Sequence, residues 1–302
     1  MSFVRVSSRI LAAALCSMLA TPLGAQQAPT PAAWAPVEQA LGRKGAMQPG
    51  NVIKFSFPRS DLAVTVGGVS LKPALALGGW VAFKETSKGQ AMAMGDLVLT
   101  EAEVGPVMRA LQAGGVEQTA LHNHVLNETP RVMYMHISAR GDRAKIAHAI
   151  HDALAQSHTP LGAAAPPSAP SAAGLDTAAI AKTLGIAGKL NGVVYQVSVP
   201  RREKITDMGV EVPPSMGVAT GINFQPTGGG KAAITGDFVL LGSEVNPVIR
   251  ALTSHGIAVT AVHSHMIGEE PRLFFMHFWA NDDAATLAKG LRAALDETTS
   301  KK

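Results

Sequence analysis

Three histidines and a glutamate occur twice at matched spacing. His122, His124, Glu128 and His136 recur as His263, His265, Glu269 and His277. Residues 95–138 align without gaps on 236–279 at a constant offset of 141, and 21 of the 44 positions are identical. These motifs hold six of the ten histidines in the chain. A duplicated fold keeps its apolar pattern for packing; it has no such reason to keep imidazoles and a carboxylate, so the cluster reads as a site. Imidazole with one carboxylate suits Zn(II), Cu(II), Ni(II), Fe(II) or Mn(II), with zinc favoured. The six histidines are the candidate metal ligands, and Glu128 and Glu269 the candidate fourth ligands or general bases. Two readings stand beside this one. In the first, His124 or His136 moves a proton against Glu128 without metal; in the second, the histidines are hydrogen-bonded and only shape a polar cleft.

Other donors are scarce. Cys16 is the only cysteine and lies inside an N-terminal targeting segment. That segment has Arg5 and Arg9, then the apolar run ILAAALCSMLA, then small residues, and predicts cleavage after about Ala25. The mature chain then has neither disulfides nor thiolate metal sites. Its first residue, Gln26, excludes a terminal-amine histidine brace. Leu15 before Cys16 is not the small residue that lipid attachment needs. Expected localisation is therefore periplasmic or secreted, with no transmembrane segment in the mature chain.

The elements that position the site follow from pattern. In a strand, residues i and i+2 share a face, so His122 and His124 are expected to project together, as are His263 and His265. If the following hairpin pairs in even register about Thr129, His136 faces His122 across the ladder. A slip of one residue would turn it away. One focus is thus expected in each half. Met135 and Met276 precede the third histidines and should face the core. Arg131 and Arg272 should pair with Glu128 and Glu269. Asp96 and Asp237 follow glycine and read as turn residues. Trp80 and Trp279 read as core.

Each half predicts a short helix, several strands, a Gly-Asp strand, and a helix with Pro106 or Pro247 in its first turn and Gly115 or Gly256 at its end. The histidine hairpin comes next, then a last helix capped by Asp142 or Asp282. The fold class is α+β: two tandem homologous modules of antiparallel strands with flanking helices, packed as a pseudo-dimer. Expected boundaries are 1–25 for the signal peptide, 33–158 and 175–298 for the modules, and 159–174 for a Pro/Ala-rich linker. Net charge is +4. Removing two signal arginines leaves +2 and no basic stripe, so nucleic-acid binding has no electrostatic support.

Two resemblances follow from these residues. His-x-His-x3-Glu at His122, His124 and Glu128 is similar to the first metal motif of cupins, but the downstream glycine-rich motif is missing. Over both halves the chain resembles the LppY/LpqO family of exported bacterial proteins. That resemblance rests on the signal, the duplicated module, the Gly-Asp strands and the motifs HNH…E.PR…MH and HSH…E.PR…MH. It implies export and two modules and assigns no substrate. The functional expectation is a divalent-metal-dependent enzyme, with hydrolysis as the leading reaction type, acting on a small molecule. The alternatives are a non-catalytic protein binding metal or a small ligand, and a structural module of the cell envelope.

Overall fold

The structure, a computed structural model, describes residues 1, 31–163 and 169–301. Apart from Met1, the expected signal segment lies outside them, as do residues 164–168 of the expected linker. The first half comprises α1 (Ala35–Leu41), β1 (Ala46–Gln48), β2 (Val52–Pro58), β3 (Thr65–Val66), β4 (Val69–Ser70), α2 (Pro73–Ala76), β5 (Gly78–Ser87), β6 (Gln90–Thr100), α3 (Glu101–Ala113), β7 (Glu117–His122), β8 (Glu128–Thr129), β9 (Val132–Asp142) and α4 (Arg143–Leu154). The second comprises α5 (Thr177–Leu184), β10 (Lys189–Asn191), β11 (Val194–Pro200), β12 (Thr206–Asp207), β13 (Val210–Glu211), β14 (Ala219–Gly228), β15 (Lys231–Leu241), α6 (Val245–Ser254), β16 (Ala258–His263), β17 (Glu269–Glu270), β18 (Leu273–Asp283) and α7 (Ala284–Asp296).

Each half forms a six-stranded antiparallel sheet, ordered β1-β2-β5-β6-β9-β7 in the first and β10-β11-β14-β15-β18-β16 in the second. Alternation along the strands sorts residues between two faces. Phe55, Phe83, Ala93, Leu97, Met135 and Ile137 face the helices, and Val197, Ile222, Ile234, Phe238, Met276 and Phe278 do the same in the second half. Met135 and Met276 are core residues, as expected. The opposite faces pack sheet on sheet. Val52, Ala82, Met92 and Met94 meet Met216, Val239 and Phe275, and Tyr134 and Val98 share a cluster with Val194 and Ala233. The result is a four-layer arrangement with the two sheets at its centre. Fully burying each large apolar side chain stabilises it by about 1.5–3 kcal/mol.

A buried clamp ties each module together. Arg59 donates to both carboxylate oxygens of Glu103, to Asp61 and to the Val98 carbonyl. Glu103 also accepts from the backbone N–H groups of Thr100 and His158. Arg201 makes the same arrangement with Glu244, Glu203 and the Val239 carbonyl. Burial opposes the charge on Glu103, but Arg59 and the two N–H groups win and hold its carboxyl down to about 2.

Local details differ from expectation. Pro106 is the sixth residue of α3, beyond the first turn, where its missing N–H forfeits a helix bond. Asp142 caps α4, but Asp283, not Asp282, caps α7 through Thr286. Beyond the hairpin, β9 runs six residues past His136. Pro130 and Pro271 each follow a cis peptide bond.

Candidate functional site

The histidines of both halves meet at one place. Two separate foci were expected; the packing of sheet on sheet merges them. Ring centroids are 3.6 Å apart for His122 and His263, and 3.8 Å for both His124–His277 and His136–His265. The offset of 141 maps each of these contacts onto itself or its reciprocal, so the site lies on a pseudo-two-fold axis and is isologous. Reciprocal hydrogen bonds frame it. Thr119 Oγ1 donates to the His265 carbonyl at 2.6 Å, and Thr260 Oγ1 to the His124 carbonyl at 2.5 Å.

The hairpin parity is as expected but the partner is not. His122 pairs with Tyr134, and His136 with Ala120, past a register shift between Gln118 and Ala120. His122 and His136 still share a face, with rings 5.1 Å apart. β7 ends at His122, so strand alternation does not place His124. Stacking does: the His124 ring lies 3.3 Å from Tyr134, and His265 lies 3.5 Å from Phe275.

Asp96 and Asp237 are not turn residues. They sit within β6 and β15, directly opposite His136 and His277. The Asp237 carboxylate is 2.9 Å from His265 Nε2, and Asp96 is 3.6 Å from His124 Nε2. A readable signal existed: in both copies the aspartate is the one acidic residue within a long, mostly apolar run. The glutamates take other places. Glu128 and Glu269 lie in small side sheets, opposite Val66 and Asp207. Glu269 accepts from the Leu273 N–H and from Arg272. Neither glutamate belongs to the groups of ligand atoms within mutual reach among the described residues; those are His122–His124–His277, His122–His136–His263 and Asp237–His263–His265. Arg272 pairs with Glu269 as expected, whereas Arg131 reaches Glu101 at 3.7 Å.

Hydrogen bonds fix the tautomers. A carbonyl only accepts, so a ring nitrogen bonded to one carries the hydrogen. Nδ1 of His277 donates to the Gly236 carbonyl at 2.7 Å, Nδ1 of His265 to the Gly217 carbonyl at 3.1 Å, and Nδ1 of His122 to the Asn123 carbonyl at 3.1 Å. In the neutral ring Nε2 then presents a lone pair. The Nε2 atoms of all six histidines are buried without a hydrogen-bond partner, as are Oδ1 of Asp96 and Asp237. His265 Nε2 and an Asp237 oxygen stand 2.9 Å apart, so the pair is closed either by a proton on that nitrogen or, with the ring neutral, by a bound cation. Holding one ring nitrogen on a backbone carbonyl while the other faces inward is also how metal-binding histidines are oriented.

Electrostatics favours neutral rings at His122, His124, His136 and His263. Burial, reinforced by His277, pushes His122 down to about 3. Burial and neighbouring imidazoles likewise push His124, His136 and His263 down. Burial and the charge of Asp237 push the Asp96 carboxyl up, against the pull of Lys54. Burial acts the same way on Asp237, but His277 and His265 outweigh it and hold that carboxyl low. Neutral imidazoles can take a metal without first losing a proton. An ion about 2.1 Å from each ligand places tetrahedral ligand atoms about 3.4 Å apart; the atoms of each group lie within 4.8 Å of one another. Donor types and spacing therefore suit a transition-metal ion once the side chains draw in by a fraction of an ångström.

A family described as Domain of Unknown Function (DUF1259) matches residues 35–156 and again 178–297. The chain belongs to that family and carries two copies of its domain. No curated protein matches the chain. Among solved structures it is similar to the trimeric bacterial microcompartment shell protein PduB, at 13% identity over 82% of this chain and 87% of that one, with a TM-score of 0.21. It is similar also to the double-ringed trimeric shell protein MSM0271 from the RMM microcompartment (11% identity, 70% and 85% covered, TM-score 0.18). EtuB from Clostridium kluyveri is a third such structure (10% identity, 82% and 89% covered, TM-score 0.18). TM-scores this low carry no argument about this chain. Among the described residues no helix is long and apolar enough to cross a membrane.

Proposed function

We propose that this is an exported protein that holds a divalent metal, zinc favoured over copper, iron, manganese or nickel, in one centre shared by its two halves. The observation that carries the reading is the convergence of inward-facing Nε2 atoms from both halves on the Asp237 carboxylate, with the Nδ1 atoms of His122, His265 and His277 already spent on backbone carbonyls. Imidazole and carboxylate donors without thiolate suit the metals named. The N-terminal targeting pattern and the resemblance to LppY/LpqO proteins support export.

Metal-dependent catalysis, with hydrolysis as the leading reaction type, is the favoured use of the centre over storage or sensing. A bound divalent ion lowers the pKa of coordinated water. Asp237, with 18% of its side chain exposed, is the carboxylate placed to accept a proton beside it. Glu128 and Glu269, set in the side sheets, support the loops that carry His124 and His265.

The test is elemental analysis of zinc-loaded mature protein, wild type against His136→Ala, His277→Ala and the double variant. A shared centre predicts that either single change removes the zinc that the double change removes. Half the zinc remaining in each single variant would mean two independent sites. No zinc in the wild type would end the metal reading.

A further inference from the structure

The aspartates sit in corresponding rows of residues across the inner sheet faces. In the first half the row is Ser56, Trp80, Asp96, His136; in the second it is Ser198, Gly221, Asp237, His277. Three of the four positions keep their residue type. The fourth exchanges an indole for a hydrogen atom, and it lies between the exposed serine at the rim and the aspartate of the centre.

Trp80 fills its row. Its ring lies 3.9 Å from the Lys54 ammonium, and it reaches across to the other half, where a Cβ on Gly217 would stand 3.1 Å from two indole atoms. Gly221 leaves its row open: a Cβ built there meets nothing within 4 Å. The exposure of the two aspartates follows this difference, whereas His265, 3.7 Å from the Cβ position of Gly217 beside Trp80, is less exposed than His124, at 8% against 15%. Asp96 is buried behind Trp80 with 10% of its side chain exposed, against 18% for Asp237, while Ser56 and Ser198 are both exposed at the rim.

We infer that the shared centre has one mouth, the Gly221 notch of the second half, and that it admits a small coordinating ligand, water or a similarly small oxygen or nitrogen donor, to the centre at Asp237. Trp80 is the plug that closes the equivalent route in the first half. The room made by the loss of one side chain suits a ligand of a few atoms and bars a polymer. As a statement about metal coordination this rests on the proposed function; as a statement about access to the histidines it does not.

The experiment uses both aspects on the full mature chain. Protein loaded with Co(II) is titrated with azide, followed by its visible bands, in wild type, Gly221→Trp, Ser198→Trp and Ser56→Trp. The expected result is an azide response in wild type and Ser56→Trp and its loss in Gly221→Trp and Ser198→Trp, with bound Co(II) unchanged in all four. In parallel, the metal-free proteins are treated with diethyl pyrocarbonate, and modification of the cluster histidines should slow in the same two variants only. Ser198 is exposed, so its replacement tests the mouth even if Gly221→Trp does not fold. If wild type binds no Co(II) but the modification pattern holds, the metal reading falls and the mouth stands. Equal modification rates in Ser198→Trp and Ser56→Trp, or an azide response that Ser198→Trp retains, would overturn the inference.

Discussion

The two halves share a skeleton and differ around the histidine in the loop. In the first half, Tyr134 stacks on His124 and its hydroxyl donates to the Ala76 carbonyl at 2.9 Å. In the second half, Phe275 stands where Tyr134 does and has no hydroxyl. The carbonyl four residues before Gly221, that of Gly217, is the counterpart of the Ala76 carbonyl four residues before Trp80. In the second half it accepts from the His265 ring, and His265 Nε2 closes to 2.9 Å from Asp237, against 3.6 Å between His124 and Asp96. A single oxygen atom thus separates a tightly oriented imidazole–carboxylate pair from a looser one. The carboxylates divide in the same way, Asp96 pushed toward its neutral form and Asp237 held charged. Duplication kept the histidines and aspartates, and divergence in their supports left the imidazole–carboxylate pair tighter in the second half.

The comparison can be broken most forcefully at the feature the halves share. Arg59→Ala and Arg201→Ala should each cost about 3–5 kcal/mol, because each leaves a buried carboxylate unpaired; denaturant unfolding would show it, and unequal losses would mean the modules differ in their scaffolds as well as their sites. The same clamp sets an acid limit. Glu103 has its folded pKa depressed from 4.5 to about 2, so its contribution is complete above pH 4.5 and is lost as pH falls toward 2. Thermal melts across that window should fall in wild type and fall less in Glu103→Gln, where the Glu244 clamp of the other module remains.

A sharper cut is made at the aspartates. Asp237→Asn should weaken zinc binding by about 10–100-fold, the usual cost of disturbing a group that orients or completes a metal site, and Asp96→Asn by less. Calorimetric titration reads both, and equal effects would erase the asymmetry. The smallest change is Tyr134→Phe, which makes the first half like the second. It should cost about 1 kcal/mol of stability for the lost hydrogen bond to Ala76, measurable by denaturant unfolding. The converse, Phe275→Tyr, should compete for the Gly217 carbonyl and loosen His265.

Much of this was legible in order along the chain. The offset of 141 identified the modules, and the expected Gly-Asp strands are β6 and β15. Parity put His122 and His136 on one face even though the direct partner of His122 proved to be Tyr134. What stayed hidden depends on packing. A Gly-Asp pair looks like a turn unless the flanking residues are read as one long strand, which is why Asp96 and Asp237 were assigned to loops and the loop glutamates to the site. Nor does any spacing within one module announce that its third histidine stacks against the other module. His136–His265 and His124–His277 are contacts between surfaces, and only docking of the two sheets creates them.

Anomalous diffraction at the zinc edge from crystals of the loaded mature protein tests the central claim most directly. The account predicts an ion about 2.0–2.2 Å from imidazole nitrogens belonging to both halves, with Asp237 at or beside its coordination shell. Separate ions held by the histidines of one half alone, or no anomalous peak among the six rings, would contradict it.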